Sequence, residues 1–562
     1  MKKYLLLLLF AGNLVNTAIS QGPYTSVESQ FSIGSELIDN VNRTAIDSDG
    51  NRIVYGIFSE AVDFDPSESE LIIEPLGTPD LFLASYDDQG GLNWAFNLGR
   101  ISLNDGMRAT GLGIDSEGNI VISGGFSLNV DFDPSANNEI LTAVQGRDGF
   151  LIKYDSAGQL IWSRQFGSTG FDAVSALTID DSGNNVIGVR FGEEIDLDPS
   201  DMGEELVTPI GGIDAAVVKL DSDGNYLWSY LVDPGENNES VSALAANSSG
   251  DIVLGATVNA VSTGIPVQGM LAGVLDANGS EIWVYDFQNQ GQSNLISHVA
   301  FAQDEQSIYL GGRIQENTDF DPSANEEIIS PLFADPFLSK HSAADGSLSW
   351  AKYIESSATE DYCAGVHESN GAVFMAGSFD VLATFIPGDF GSQISSNGAS
   401  DLFVAVYEAD SGDFIEAETF GGTGGEKAND AFFAGPIGLF IVGQFSTSLG
   451  LVEGESIDAA GFEDGFLAEF TYLYNLSINN TLTEKDVNVY PVPASKNVFF
   501  QLSNANSVQV KLINIIGQVV FESDYRNTSD LIEIDISNLN QGIYLAEITT
   551  DRGSITKRLI KQ

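Results

Sequence analysis

The sequence predicts an all-β chain: a seven-bladed β-propeller of four-stranded blades, its ring closed by the N-terminal strand, followed by a small Ig-like β-sandwich. Three observations predict it. All five tryptophans, Trp94, Trp162, Trp228, Trp283 and Trp350, recur 68, 66, 55 and 67 residues apart. Each ends a phrase such as Asp155-Ser-Ala-Gly158-Gln-Leu-Ile-Trp162, so the chain is a repeat protein and is read repeat by repeat. Each repeat holds four short runs of β-branched, aliphatic and aromatic residues, and the last repeat stops one strand short.

The second unit shows the elements in order. Ala109–Asp115, Ile120–Phe126, Gly149–Asp155 and Leu160–Gly167 are strand-like, with Ser-Glu-Gly-Asn119 and Ser-Ala-Gly-Gln159 as tight turns. Between the second and third runs lies the longer loop Val130-Asp-Phe-Asp-Pro-Ser135. Seven such units begin near Arg43, Met107, Ala173, Ser240, Ile296, Asp361 and Glu426. Four antiparallel strands in about 60 residues form a propeller blade, which buries both faces against its neighbours. An open solenoid would need capped ends instead. The seventh unit ends after Gly465-Phe-Leu-Ala-Glu-Phe470, while Ser29-Gln-Phe-Ser-Ile-Gly34 resembles Trp94-Ala-Phe-Asn-Leu-Gly99 and supplies the missing strand. In such a meander the second loop and the unit-to-unit connection share one face of the disc, the ligand-facing side in propellers.

Residues 1–20 read as a secretory signal: Lys2 and Lys3, an apolar run from Tyr4 to Ala11, then Ala18-Ile-Ser20. That run is too short to span a bilayer, and no later stretch qualifies, so no transmembrane segment is expected. Residues 21–474 are assigned to the propeller, 475–485 to a polar linker and 486–562 to a C-terminal domain. Composition marks the boundary: residues 21–485 carry 14 Lys/Arg against 72 Asp/Glu, whereas 486–562 carry 7 against 8. A surface that acidic excludes nucleic acid and anionic lipid as partners. Cys363, alone, excludes an internal disulfide and a cysteine zinc site, and reads as a small buried residue.

Val487-Asn-Val-Tyr-Pro-Val-Pro-Ala494 opens the last domain, followed by Val508–Val520, Ile534–Leu539, Gly542-Ile-Tyr-Leu545 and the basic end Lys557-Arg-Leu-Ile-Lys561. Alternating strands and Asn/Gly turns suffice for a compact sandwich. In order and spacing these motifs resemble the type A C-terminal sorting domain of the Bacteroidetes type IX secretion system, with Val492 where that family has Asn. The resemblance implies export across both membranes and contact with the type IX machinery through residues 486–562. It also implies removal of this domain, with the remainder released or attached to the outer-membrane surface. Residues 43–473 likewise resemble SBBP-type β-propeller repeats, a likeness that implies fold and no particular activity.

The best candidate site is a repeated acidic loop: Asp63-Phe-Asp65-Pro66, Asp131-Phe-Asp133-Pro134, Asp196-Leu-Asp198-Pro199 and Asp319-Phe-Asp321-Pro322. Alternation puts both carboxylates on one side and turns the apolar residue inward. Paired carboxylates and loop carbonyls suit Ca²⁺; the plainer expectation is that each Asp caps the loop by accepting backbone N–H bonds. Asp47-Ser-Asp-Gly-Asn51 and Asp221-Ser-Asp-Gly-Asn225 look like the start of an EF-hand loop but lack its later Glu and sit at hairpin positions. There is no Gly-x-Ser-x-Gly elbow and no His-Glu-x-x-His, and no catalytic residue or cofactor is assigned. The expectation is a secreted or surface-displayed binding or adhesion protein whose acidic face meets an extracellular protein or glycan, with calcium ordering the loops. Its rivals are a glycan-active enzyme with a carboxylate pair in the central pocket and a structural surface-layer component.

Overall fold

The protein was analysed as a computed structural model. It describes residues 24–473 and 487–562, apart from residues 68, 100–107, 136, 201–202, 233–236, 263–264, 288–292, 324, 358–360, 435–437, 453–454, 503–506, 515–518, 527–530 and 551–552. The signal segment 1–20 and the linker 475–485 lie outside the described residues. Two compact units emerge, one running through Thr25–Tyr472 and the other through Leu473–Gln562. Among the described residues all regular structure is β apart from one short 3-10 turn, Phe390–Ser392.

Turn chemistry starts each hairpin. In the Asp-x-x-Gly turns, Asp155 Oδ1 accepts the N–H groups of Ala157 and Gln159 at 2.9 and 2.8 Å, and Asp221 and Asp276 do the same in the next two units. Asp47, Asp115, Asp180 and Asn247 cap the first turns alike. Plain turn capping therefore accounts for both phrases that look like EF-hand loops.

The turns join strands into four-stranded antiparallel sheets. The first comprises Asn40–Ile46, Arg52–Phe58, Asp80–Tyr86 and Leu92–Leu98, and the next four repeat it in chain order. Tyr362–Ser369, Ala372–Thr384, Gln393–Glu408 and Phe414–Phe420 form a sixth set. A seventh contains Gly425–Ala434, Gly438–Ser446 and Asp464–Leu473, and Tyr24–Ile33, from the start of the chain, pairs beside Asp464–Leu473 as its fourth strand. One parallel pair, Ser400 with Gly425, joins the sixth and seventh sets. Third strands such as Asp148–Tyr154 are buried throughout, whereas fourth strands such as Leu160–Phe166 are largely half-exposed. That contrast explains why the third runs read as continuous apolar stretches and the fourth as mixed ones.

Neighbouring sheets are bolted at three levels. Every first strand carries a bulge at the same place, for example between Ala109 and Gly111 or Val174 and Ala176. The bulged residue reaches the next unit's first strand: Thr110 Oγ1 donates to Val174 O at 2.7 Å, Ser175 to Val241 O at 2.6 Å, and Ser297 to Cys363 O at 2.8 Å. From the seventh unit, Asn429 Nδ2 donates to Val41 O of the first at 2.9 Å. First strands therefore pack in cyclic order, and Gly425–Ala434 lies against Asn40–Ile46.

The tryptophans form the second level. Each Nε1 donates to a turn carbonyl of the next unit: Trp94 to Ser156, Trp162 to Ser222, Trp228 to Ala277, Trp283 to Ala343 and Trp350 to Ala409, at 2.9–3.2 Å. The turn glycine lies on the ring. At Gly412, φ is +67° and an added Cβ would stand 2.5 Å from Trp350 Cδ2, so the position demands glycine twice over. Gly412→Ala is expected to cost about 1–3 kcal/mol. Gly118→Ala, whose φ is +82° in open space, should cost less, and denaturant titration of both variants measures the difference.

The third level is a lysine on the third strand that reaches a turn carbonyl of the next unit, Lys153 to Ser222 O and Lys340 to Ala409 O, at 2.9 and 3.0 Å. An ion pair inside its own sheet can hold the lysine in place. Lys153 Nζ meets Asp115 at 2.7 Å, and Lys219 meets Asp180 at 2.8 Å, all four side chains nearly inaccessible. Burial opposes charge on Asp115 and Asp180, but the lysine and asparagine bonds prevail and hold both below the usual carboxylate range.

In the C-terminal unit, one sheet holds Val487–Tyr490, Asn497–Leu502 and Leu531–Asp535. The other holds Val519–Arg526, Ser507–Asn514, Gly542–Thr550 and Gly553–Lys561. Val498, Phe500 and Ile534 from the first share one core with Val510, Ala546 and Leu559 from the second.

Candidate functional site

Each acidic loop opens on a two-stranded ribbon: Val62–Asp63 with Ile72–Ile73, Asn129–Asp131 with Ile140–Thr142, Ile195–Asp196 with Leu206–Val207, and Thr318–Asp319 with Ile328–Ile329. The apolar residue between the carboxylates is buried in all four: Phe64, Phe132, Leu197 and Phe320. Phe64 packs on Phe58 and Phe82 with centroids 5.6 and 5.1 Å away. Tyr86 and Tyr154 hydroxyls hold the carbonyls of Phe64 and Phe132 at 3.1 and 2.8 Å.

The carboxylates themselves cap the loop. Asp131 Oδ1 accepts the N–H of Asp133 at 3.1 Å and of Glu139 at 2.9 Å, while Asp133 Oδ1 accepts that of Ser135 at 2.8 Å. The same three bonds recur from Asp63 and Asp65, from Asp196 and Asp198, and from Asp319 and Asp321. The Ser323 hydroxyl and N–H hold Asp321 below the usual carboxylate range. The eight aspartates thus meet in pairs, one pair per loop. Among the described residues no group of three or more His, Cys, Asp or Glu stands close enough to hold a metal ion. Asp131→Ala orphans two N–H groups and is expected to cost about 1–2 kcal/mol, against a few tenths for Asp131→Asn, as read from denaturant midpoints.

Beside each acidic pair the fold displays two exposed aliphatic side chains that the sequence motif does not include. They are Ile72 and Leu76 (57% and 57% exposed), Ile140 and Val144 (57% and 58%), Leu206 and Ile210 (55% and 63%), and Ile328 and Leu332 (50% and 80%). Ile72, Ile140, Leu206 and Ile328 stand directly across the ribbon from Asp63, Asp131, Asp196 and Asp319. The signal was present: an aliphatic at one position and four later, as in Ile72-Ile-Glu-Pro-Leu76 and Leu206-Val-Thr-Pro-Ile210. Periodicity arguments tuned to strands do not weigh a spacing of four in a loop.

Buried acids fix the bases of these loops. The first residue of the third strand, Asp80, Asp148 or Asp214, is inaccessible and accepts the N–H of Leu76, Val144 or Ile210 at 2.5, 2.9 and 2.9 Å. A second acid, at or just before the start of a first strand, faces the same seam. Asp335 and Asp361 are one such pair, Asp401 and Glu426 another, and all four are fully buried. A Cβ on Gly421 would meet Asp401 Oδ1 at 2.4 Å and Glu426 Oε2 at 2.8 Å, and neither oxygen has a hydrogen-bond partner. Burial first, then Asp401, pushes Glu426 up to about 8; burial pushes Asp335 to about 7, and Asp361 and Asp464 to about 6.

The three histidines and Cys363 have partners or burial within the fold. His341 is buried between Gly346 O and Ser339 Oγ, and burial drives it down to about 4. His367 stacks on Phe433, and His298 faces Asp430 at 3.7 Å. Cys363 is buried, its thiol pushed up to about 12. A groove of about 430 Å³ between the third and fourth sheets has Lys219 and Asp180, an ion pair, in its lining.

Comparison with known proteins bears on the tail. Residues 488–562 match the family described as the secretion system C-terminal sorting domain. That tail directs the protein through the type IX secretion system to the cell surface or the medium. No helix among the described residues is long and apolar enough to cross a membrane. A 227-residue stretch, 40% of the chain, is 27% identical to the regulatory protein FlaEY of Caulobacter vibrioides and spans 22% of that relative's length. Among solved structures, a Bacteroides caccae protein of unknown function has 10% identity and a TM-score of 0.29, covering 60% of this chain and 89% of its own. One from Dyadobacter fermentans, also of unknown function, has 10% identity and a TM-score of 0.34, covering 80% and 99%.

Proposed function

We propose that the protein is an extracellular binding or adhesion protein: a closed seven-bladed propeller, exported by a C-terminal Ig-like sorting domain, that presents its second-loop face to a protein or glycan. The observation that carries this reading is the fourfold recurrence of an acidic pair, largely half-buried, beside two exposed aliphatic side chains. Repetition suits recognition over an extended surface, whereas catalysis needs one unit to differ from the rest. The seam carboxylate pairs Asp335 with Asp361 and Asp401 with Glu426 are inaccessible to substrate, which weighs against a glycan-active enzyme that uses them. Calcium stabilisation belongs to the same reading, because four loops of paired carboxylates offer the oxygen donors that such a hard cation takes.

The test is to incubate the full chain with a panel of extracellular glycans and proteins while following both binding and products. Saturable binding without product supports the proposal; release of product overturns it. Melting the protein in chelator and then in calcium at fixed ionic strength checks the metal. A midpoint that rises and saturates with calcium, with a smaller rise in Asp131→Asn/Asp133→Asn, is the expected result. An equal rise with magnesium leaves capping as the loops' sole role.

A further inference from the structure

We infer that the four acidic–aliphatic loops form a repeated docking surface for a cationic polypeptide segment that interleaves basic with apolar side chains. This rests on the binding reading above and names the partner's chemistry.

The argument starts from what the fold spends to show these side chains. Large aliphatics at 50–80% exposure gain nothing from burial, yet they recur at two equivalent positions in each unit that has the acidic loop. Scattered exposed apolar residues need no explanation; register-matched ones beside one motif do. Their posture is also held. In three units the N–H of the second aliphatic is pinned to a buried carboxylate, Asp80, Asp148 or Asp214. The first aliphatic is paired across a ribbon whose other strand carries the capping Asp. Side chains directly opposite in an antiparallel pair emerge on the same side, so each loop offers a carboxylate and an aliphatic together.

Charge selects the occupant. Residues 59–79 carry six carboxylates, 192–213 seven and 315–334 five, with no lysine or arginine in any of the three. The intervening loop, 127–147, has three acids and one base, Arg147. A second copy of this chain, at a formal net charge of −57, brings like charge to like, and anionic lipid does the same. A neutral glycan donates hydroxyl hydrogen bonds to carboxylates but brings no opposite charge to loops this acidic. A basic segment with apolar side chains satisfies both halves, and three consecutive units allow several weak contacts to act together.

The test uses the full chain and two synthetic peptides of equal charge and length, one alternating lysine with leucine and the other lysine with serine, at physiological salt. The alternating Lys–Leu peptide is expected to bind saturably, and about tenfold or more tighter than the Lys–Ser peptide, because apolar contact adds to charge. The combined variant Leu76→Ser/Val144→Ser/Ile210→Ser/Leu332→Ser keeps every charge and should remove that advantage with its melting midpoint unchanged. Ile161→Ser/Leu227→Ser/Ile282→Ser, exposed aliphatics on fourth strands, should leave it intact. Equal binding of the two peptides, or an advantage that survives the loop variant, overturns the proposal. So does loss of the advantage in the fourth-strand variant. If neither peptide binds while a glycan or protein of the panel still saturates without product, this proposal fails and the binding reading stands.

Discussion

Raising the pH from about 5 to about 8.5 is expected to destabilise the protein steeply, well before any alkaline chemistry begins. The cause is the set of buried seam acids. A carboxyl group whose pKa is higher folded than unfolded binds its proton more tightly in the fold. Its contribution to stability is complete below the unfolded value and is lost as pH climbs through the folded one. The unfolded values are near 3.8 for Asp and 4.5 for Glu, and the folded ones about 6 for Asp361 and Asp464, 7 for Asp335 and 8 for Glu426. The window of loss therefore runs from about 4 to about 8. General repulsion among the surplus carboxylates adds to it in the same direction. Asp115 and Asp180, held low by their lysines, lose their contribution only on acidification below the usual Asp value, so stability should peak near about pH 4–5.

Glu426→Gln isolates the mechanism. Gln keeps the oxygen that accepts the Gly422 N–H at 3.1 Å and offers an amide donor toward Asp401, whose Oδ1 lacks a partner. It should stabilise the protein by about 2 kcal/mol at about pH 8.5 and by little at about pH 5. Denaturant titrations at the two pH values measure both. A Gln variant less stable than the parent at the higher pH would show that the seam is not a meeting of like charges.

The second large effect concerns the N-terminal strand. Removing residues 21–34 deletes Tyr24–Ile33 from beside Asp464–Leu473. Two buried side chains, Phe31 and Ile33, leave the core they share with Val41 and Tyr86 of the first unit, and Phe31 no longer lies 4.7 Å from Tyr86. It also frees Asp464, which fills the space where a Cβ on Gly34 would stand. The truncated chain should lose its cooperative melting transition or melt at least about 10 °C lower, given about 3–5 kcal/mol for Phe31 alone and an exposed sheet edge besides. Phe31→Ala, a milder probe, should cost about 3 kcal/mol or more.

Much of this architecture was legible because it is written once per repeat. The tryptophan register, the Asp-x-x-Gly turns and the spare strand at Ser29–Gly34 each depend on short-range chemistry copied along the chain. Copies average out the noise that obscures a single site. The buried apolar residue of each acidic loop was equally legible, since alternation on a strand decides which side faces inward. What escaped notice was set by partners distant in sequence. Asp401 and Glu426 meet because neighbouring units stack, and in an acid-rich chain nothing local distinguishes them from surface carboxylates. Thr110 and Ser175 read as ordinary strand residues until a bulge turns them toward the next unit. Ile72 and Leu76 carry a spacing of four that strand periodicity does not weigh, and the fold leaves both exposed to solvent.

The measurement that tests the account most directly is native-state amide hydrogen exchange along Tyr24–Ile33 in the unmodified protein. If that strand closes a ring, its amides share the slow, cooperative exchange of Asp464–Leu473 and Asp80–Tyr86, because opening the ring exposes all of them together. If Tyr24–Ile33 exchanges within seconds, like a fraying end, while the other sheets stay protected, the strand locks nothing. The ring, and the multi-loop face it is held to organise, would then have to be given up.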